Sequence, residues 1–304
     1  MPRQLLFVLC LVLLLSGCHQ NNPPETAPTP AAAPAPSAAA TRTYPVRAKV
    51  VSVNGPDVIL DHEAIPGLMD AMTMSYRLKD PSVGSELHPG DRITATFVVT
   101  KDPDGIDNIV VDQIVVIAQA KPDYKPTVQY HVPQPGDAVP DFKLLNQSNQ
   151  TIRLSQFHGR ALLITFIYTR CQLSDYCPRM SRNFAEIDKA LSADPALYGR
   201  THLLSISFDP SYDTPKVLRS YGGAYTGQYT KETFQHWDFA APSEADLAAV
   251  TQFFNVGVTP GDSKSLNHSL STVLIGKDGK VAAWYPTNDW KTSDVVAQIK
   301  RAAA

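Results

Sequence analysis

The hydrophobic pattern along the chain changes character three times. Residues 5–15 form an unbroken run of eleven apolar side chains behind Arg3. A bilayer takes ~20 apolar residues to cross, so this run is too short to span one and has the length of a signal-peptide core. Residues 19–42 then hold six prolines and eight alanines with almost no large apolar side chain. Such a stretch buries no core and favours extended polyproline II, reaching roughly 70 Å at ~3.1 Å per residue. From Tyr44 to about Ala118 come short β-rich runs (RAKVVSV, VIL, TMSYRL, RITATFVV, IVVDQIVVI), divided by the turn signals NGPD, HPGD and KDPDG. Five strands in some 75 residues predict a small all-β barrel, OB-like and closed or half-open.

After a Pro-containing connector the pattern switches to strands alternating with helices. ALLITFIY and HLLSISF are continuous apolar strands of the kind buried on both faces. PRMSRNFAEIDKAL, TPKVLRSY, SEADLAAVTQFF and TSDVVAQIKR carry helical spacing. STVLIGKDGKVAAWY is a hairpin turned at Lys277-Asp278-Gly279. This order predicts an α/β thioredoxin-like domain. The expected organisation is a signal peptide over 1–17, a tether over 18–42, the barrel over 43–118, a linker over 119–132 and the α/β domain over 133–304.

Composition narrows the function classes. Of 304 residues, 43% are hydrophobic and 18% charged, with a formal net charge of −2. That excludes a charged disordered tail, and it leaves no basic excess for a nucleic-acid partner. The four cysteines divide by position. Cys10 lies inside the first apolar run. Cys18 ends it in Leu15-Ser16-Gly17-Cys18, which resembles a bacterial lipobox and implies cleavage before Cys18 and lipid on its thiol. A small-residue cleavage site that happens to contain a cysteine is the alternative. The lipobox reading places the chain in the cell envelope, facing the periplasm and anchored by lipid to a membrane, inner or outer. Cys171 and Cys177 are left for the folded part.

These two cysteines lie in TRCQLSDYCPRMS, with five residues between them, between a buried strand and a helix. Pro178 suits the first helical position and sets Cys177 at or beside the N-cap, where helix N–H groups predict a lowered pKa for Cys177. Three roles fit the pair: an inert disulfide staple, a redox dithiol, or two thiolate ligands for a soft metal. His268 precedes the strand that runs beside this turn in a thioredoxin-like order. Two thiolates and one imidazole suit Cu(I), although a lone histidine is more often simply hydrogen-bonded.

A second cluster falls in the barrel. Met69, Met72 and Met74, three of the five methionines, lie within six residues, and His62 is ten residues before Met72. Positions 72 and 74 project to one face of a strand, so both thioethers can reach one ion. Thioether sulfur binds Cu(I) and needs no deprotonation. Methionines at period two as core filler are the alternative.

The stretches YTRC…CPRMSRNFAEI, SISFDPSYDTP and NHSLSTVLIGKDGKV, in that order over about 135–304, resemble the Sco family of copper-handling thioredoxin-like proteins. The resemblance implies that Cys171, Cys177 and His268 bind one copper. It further implies that the chain aids assembly of a copper centre in a respiratory oxidase, with a copper-accepting oxidase subunit or another periplasmic copper protein as partner. The family commonly spaces its cysteines CxxxC, whereas this chain has CxxxxxC. Asp209 and Asp213 match the family's DP…DTP segment, as helix caps or as supports behind the ligands, with capping preferred. The His…Met-x-Met arrangement resembles periplasmic copper-binding proteins of the CusF type, in which a Trp stands three residues before the first Met. Met69 holds that position here, as a third sulfur ligand or as apolar cover. The expectation is a membrane-tethered copper metallochaperone with Cu(I)-type sites, Cu(II) being open, at Cys171, Cys177 and His268 and at His62, Met72 and Met74. Copper would pass between them by ligand exchange. A thiol–disulfide reductase using Cys171 and Cys177, and a non-catalytic copper buffer or sensor, are the rival readings.

Overall fold

A computed structural model describes residues 41–101, 107–121, 130–260 and 265–304. The expected signal segment, Cys18 and nearly all of the tether lie outside the described residues, as does most of the expected linker. No helix among the described residues is long and apolar enough to cross a membrane.

Five strands build the first part: β1 (Arg42–Asn54), β2 (Asp57–His62), β3 (Met72–Leu78), β4 (Arg92–Lys101) and β5 (Asp107–Ala118). They close in the order β1-β2-β3-β5-β4, with β4 returning to β1. Only the β3–β5 contact in this ring is parallel. Alternation is clearest in β4, whereas β2 and β3 each bury three residues in succession. β4 buries Ile93, Ala95, Phe97 and Val99 and turns the residues between them outward. The expected barrel is therefore present, and closure leaves no free edge in it. The tight β1–β2 turn uses Gly55 at φ +55°, a conformation that a Cβ would strain.

The second part contains β6 (Lys143–Asn146), β7 (Thr151–Arg153), β8 (Ala161–Ile167), α1 (Cys177–Ser192), α2 (Pro195–Tyr198), β9 (Thr201–Ser207), α3 (Pro215–Tyr225), β10 (Trp237–Ala241), α4 (Leu247–Phe253), β11 (Val258–Pro260), β12 (Leu266–His268), β13 (Thr272–Ile275), β14 (Val281–Tyr285) and α5 (Thr292–Ala302). Seven strands form one sheet, ordered β14-β13-β8-β9-β10-β6-β7. β8, β9 and β10 are parallel, and β13 lies antiparallel to β8. Every residue of β8 and β9 is buried, which is why both read as unbroken apolar runs. α1 lays Met180, Phe184, Ile187 and Leu191 onto the sheet at spacings of three and four. The thioredoxin-like α/β order is as expected. Four features were not anticipated: the β6–β7 hairpin, α2, the central strand β10, and a separate β11–β12 hairpin.

Barrel and sheet pack as one unit. Arg77 of β3 approaches Asp289 at 3.5 Å, and Gly257 lies so close to β3 that an added Cβ would stand 2.9 Å from the Thr73 carbonyl oxygen. This junction sets the methionine cluster against the cysteine loop.

Candidate metal centre

Three chain segments meet beyond the C-terminal end of β8, an interior strand of the sheet. β8 delivers Cys171 just past its end, α1 starts at Cys177, and β12 carries His268. The two sulfurs and one imidazole nitrogen lie within 4.8 Å of one another. His268 Nε2 is 3.5 Å from Cys177 Sγ and 3.9 Å from Cys171 Sγ. Its Nδ1 bonds to the Ser269 carbonyl at 2.9 Å, where only an N–H can donate. That contact makes Nδ1 a protonated nitrogen and turns Nε2 toward both sulfurs. Tyr168, Tyr176 and Phe208 surround the imidazole, with ring centroids 5.6, 5.5 and 4.8 Å away. Both thiols are free, Cys177 buried and Cys171 partly open. The set is therefore soft, preorganised and open on one side, as a low-coordinate Cu(I) ion requires.

The two cysteines differ in protonation, and the difference reverses the sequence expectation. Cys171 is pulled down to about 4, first by the hydrogen bond from the Cys177 thiol and then by His268. Cys177 is pushed well above the ordinary thiol range, first by complete burial and then by the neighbouring Cys171 thiolate. Cys177 does begin α1, after Tyr176 at the N-cap. Desolvation of a fully enclosed sulfur outweighs what the helix N–H groups supply. The ready nucleophile is Cys171.

Asp209 and Asp213 also depart from the preferred reading. Neither caps α3, whose N-cap is Thr214 without a side-chain bond. Asp213 takes the backbone N–H of Thr169 at 3.0 Å and the hydroxyls of Thr169 and Ser207. Asp209 pairs with Arg170 at 2.5 Å, and the Arg170 guanidinium lies 4.1 Å over the Tyr212 ring. The two carboxylates hold the two residues before Cys171, and so aim its sulfur.

In the barrel, His62 stands opposite Met72 across the β2–β3 pair. His62, Met72 and Met74 are all nearly enclosed, at 2%, 5% and 8% exposure. The His62 nitrogens already have partners. Nδ1 lies 2.7 Å from the Glu63 carbonyl and Nε2 lies 2.6 Å from the Tyr76 hydroxyl. Burial lowers the His62 pKa, so the ring is neutral and its Nε2 accepts the hydroxyl proton. The same oxygen is 3.4 Å from Met69 Sδ. Met74 Sδ receives a different hydroxyl, that of Tyr176, at 3.4 Å. Met69, Met72 and Met74 line one cavity, whereas His62 faces another with Arg47 and Asp61. Tyr76 and Tyr176 were not among the sequence candidates, although Tyr76 continues the period of Met72 and Met74 and Tyr176 directly precedes Cys177.

Residues 131–304 match the SCO1/SenC family model, and residues 43–110 match the model described as copper binding periplasmic protein CusF. The first match covers more than half of the chain. The chain belongs to the SCO1/SenC family. A SCO1 protein homolog of Bacillus subtilis is 28% identical over 169 residues, covering 54% of this chain and 82% of the relative. Among solved structures, BsSco, described with a disulfide switch as a member of the Sco family of cytochrome c oxidase assembly proteins, is 27% identical with a TM-score of 0.45, over 57% of this chain and 97% of that one. Bradyrhizobium japonicum ScoI with copper bound is 21% identical with a TM-score of 0.44, over 54% and 99%. The matched family segment contains Cys171, Cys177 and His268, and the CusF-matched segment contains His62, Met69, Met72 and Met74.

Proposed function

We propose that this chain is an envelope copper chaperone, tethered to a membrane through Cys18, that holds Cu(I) at Cys171, Cys177 and His268 and delivers it to a copper centre of a respiratory oxidase. Copper is the cargo here. One observation carries the reading: His268 Nε2 and two unbridged sulfurs converge within 4.8 Å of one another. The Sco relatives named above support the choice of cargo and of an oxidase as its destination. The barrel adds a second holding place built from Met72 and Met74, with Met69 beside them. His62 can join only after the Tyr76 hydroxyl leaves its Nε2.

The deciding experiment is anaerobic Cu(I) titration of the reduced full chain beside Cys171→Ser/Cys177→Ser. Two coppers in the parent and one in the variant are expected. One copper in the parent, lost in the variant, would reduce the methionine cluster to core packing. No tight copper in the parent would end the chaperone reading.

A second reading has its own support. One ionised and one neutral thiol side by side is also the arrangement of a dithiol reductant, which could keep a partner's copper-ligand cysteines reduced. His268→Ala separates the two, because a reductase retains its activity in that variant while a chaperone loses its copper.

A further inference from the structure

The cavity between the barrel and the α/β domain is lined by the barrel methionines and by the loop between the two cysteines, and Tyr176 connects it to His268. It encloses about 620 Å³. One wall carries Met69, Met72 and Met74. Facing them are residues 173–176, four of the five residues that separate the two cysteines. Tyr176 spans the gap. Its hydroxyl donates to Met74 Sδ at 3.4 Å, while its ring stands edge-on to His268 with centroids 5.5 Å apart and planes at 84°. The Asn288 side chain donates to the Asp175 carbonyl at 2.9 Å and so holds the loop on this face. The extra length of the CxxxxxC loop therefore supplies the wall that meets the barrel.

We propose that this cavity is the internal route by which Cu(I) passes from the barrel thioethers to Cys171, Cys177 and His268, and that Tyr176 regulates the passage through Met74. The proposal rests on the reading of the barrel as a copper site. The transfer is ligand exchange without change of oxidation state. Copper–thioether bonds break, bonds to two thiolates and one imidazole form, and the Cys177 thiol proton passes to the buffer. A thioether whose lone pair receives an O–H is a poorer donor, so the Tyr176 hydroxyl weakens the barrel's hold at the sulfur nearest the cysteine loop.

The test uses the full chain. Oxidation to the Cys171–Cys177 disulfide closes the acceptor site, one equivalent of Cu(I) is added anaerobically, and unbound copper is removed. A phosphine in excess then reopens the thiols, and the ultraviolet thiolate-to-copper absorption reports arrival. The control mixes copper-loaded Cys171→Ser/Cys177→Ser protein with metal-free Met69→Leu/Met72→Leu/Met74→Leu protein at the same concentration. The expected result is transfer in the intact chain at a rate independent of protein concentration and at least about ten-fold above the mixed pair at micromolar protein. Equal rates would overturn the route. Tyr176→Phe keeps the ring on His268 and removes the hydroxyl. In the Cys171→Ser/Cys177→Ser background it should lower the Cu(I) Kd about two- to five-fold, measured against bathocuproine disulfonate. An unchanged Kd would remove Tyr176 from the route. An oxidised chain that retains no copper would sink the barrel site itself and the route with it, whereas a loaded barrel with mixed-pair kinetics overturns the route alone.

Discussion

At the scale of single residues, the unequal cysteines are the most consequential feature. A thiolate at Cys171 survives because the buried Cys177 thiol donates to it and His268 stands beside it. Alkylation of the metal-free, reduced chain by iodoacetamide should therefore modify Cys171 first. Its rate should stay nearly flat down to about pH 5 and fall only as the pH approaches the Cys171 value of about 4. Cys177→Ala removes the donor. A hydrogen bond to a charged group contributes about 1.5–3 kcal/mol, so the Cys171 midpoint should rise by about one to two pH units. Cys177→Ser keeps a hydroxyl donor and should move it less. A pH–rate profile centred near 9 in the parent would show that the proton sits elsewhere. The choice of reactive sulfur was not legible from sequence: Pro178 marks the helix start correctly, but the complete enclosure of Cys177 depends on packing from β8, α1 and β12 together. The three residues that converge were legible, because two cysteines at a strand-to-helix turn and one histidine before a strand are local signals.

At the scale of elements, legibility followed periodicity. β8, β9 and α1 announce themselves by unbroken apolar runs or by three-and-four spacing, and they lie where expected. β10 is five residues long and wholly buried, with no alternation to mark it. β11 and β12 have three residues each, too few for any period, and β12 carries His268. α3 illustrates a different miss. The helical pattern stops at Tyr221 because Gly222-Gly223 is a poor helix interior, yet the helix continues to Tyr225. The reason is contact. A Cβ on Gly222 would stand 2.6 Å from the Phe239 ring of β10 and 2.8 Å from Phe234. Glycine is what lets α3 lie this close to the sheet. Gly222→Ala should accordingly destabilise the chain by about 1–3 kcal/mol, despite alanine's better helix propensity of about 1 kcal/mol. Urea denaturation measures this, and an increase in the midpoint would refute the packing argument.

At the scale of the whole molecule, the contacts that join the two parts link residues far apart in the chain. Tyr176 and Met74 are 102 positions apart, and Arg77 and Asp289 are 212. No local pattern signals such pairs, so the junction emerged only in three dimensions. Acid should reach both parts together, because each encloses a neutral histidine. Burial lowers the pKa of His62 inside the barrel and, as the largest cause, of His202 beside Asp238 in the α/β domain. The unfolded chain takes up these protons near pH 6.5 while the folded chain resists them. The unfolded state thus binds more protons, and stability falls as pH drops below about 6.5, by at most about 1.4 kcal/mol per pH unit for each histidine. Burial raises Asp57 and Asp213 instead. The folded chain binds those protons more readily, so these two groups act in the opposite direction nearer the carboxylate range and flatten the loss there. Urea midpoints of the metal-free chain should therefore decline from pH 7 to pH 5 and level off below. His202→Gln should reduce the slope between pH 7 and 5, and a parent midpoint constant over that interval would show that neither histidine is held neutral by the fold.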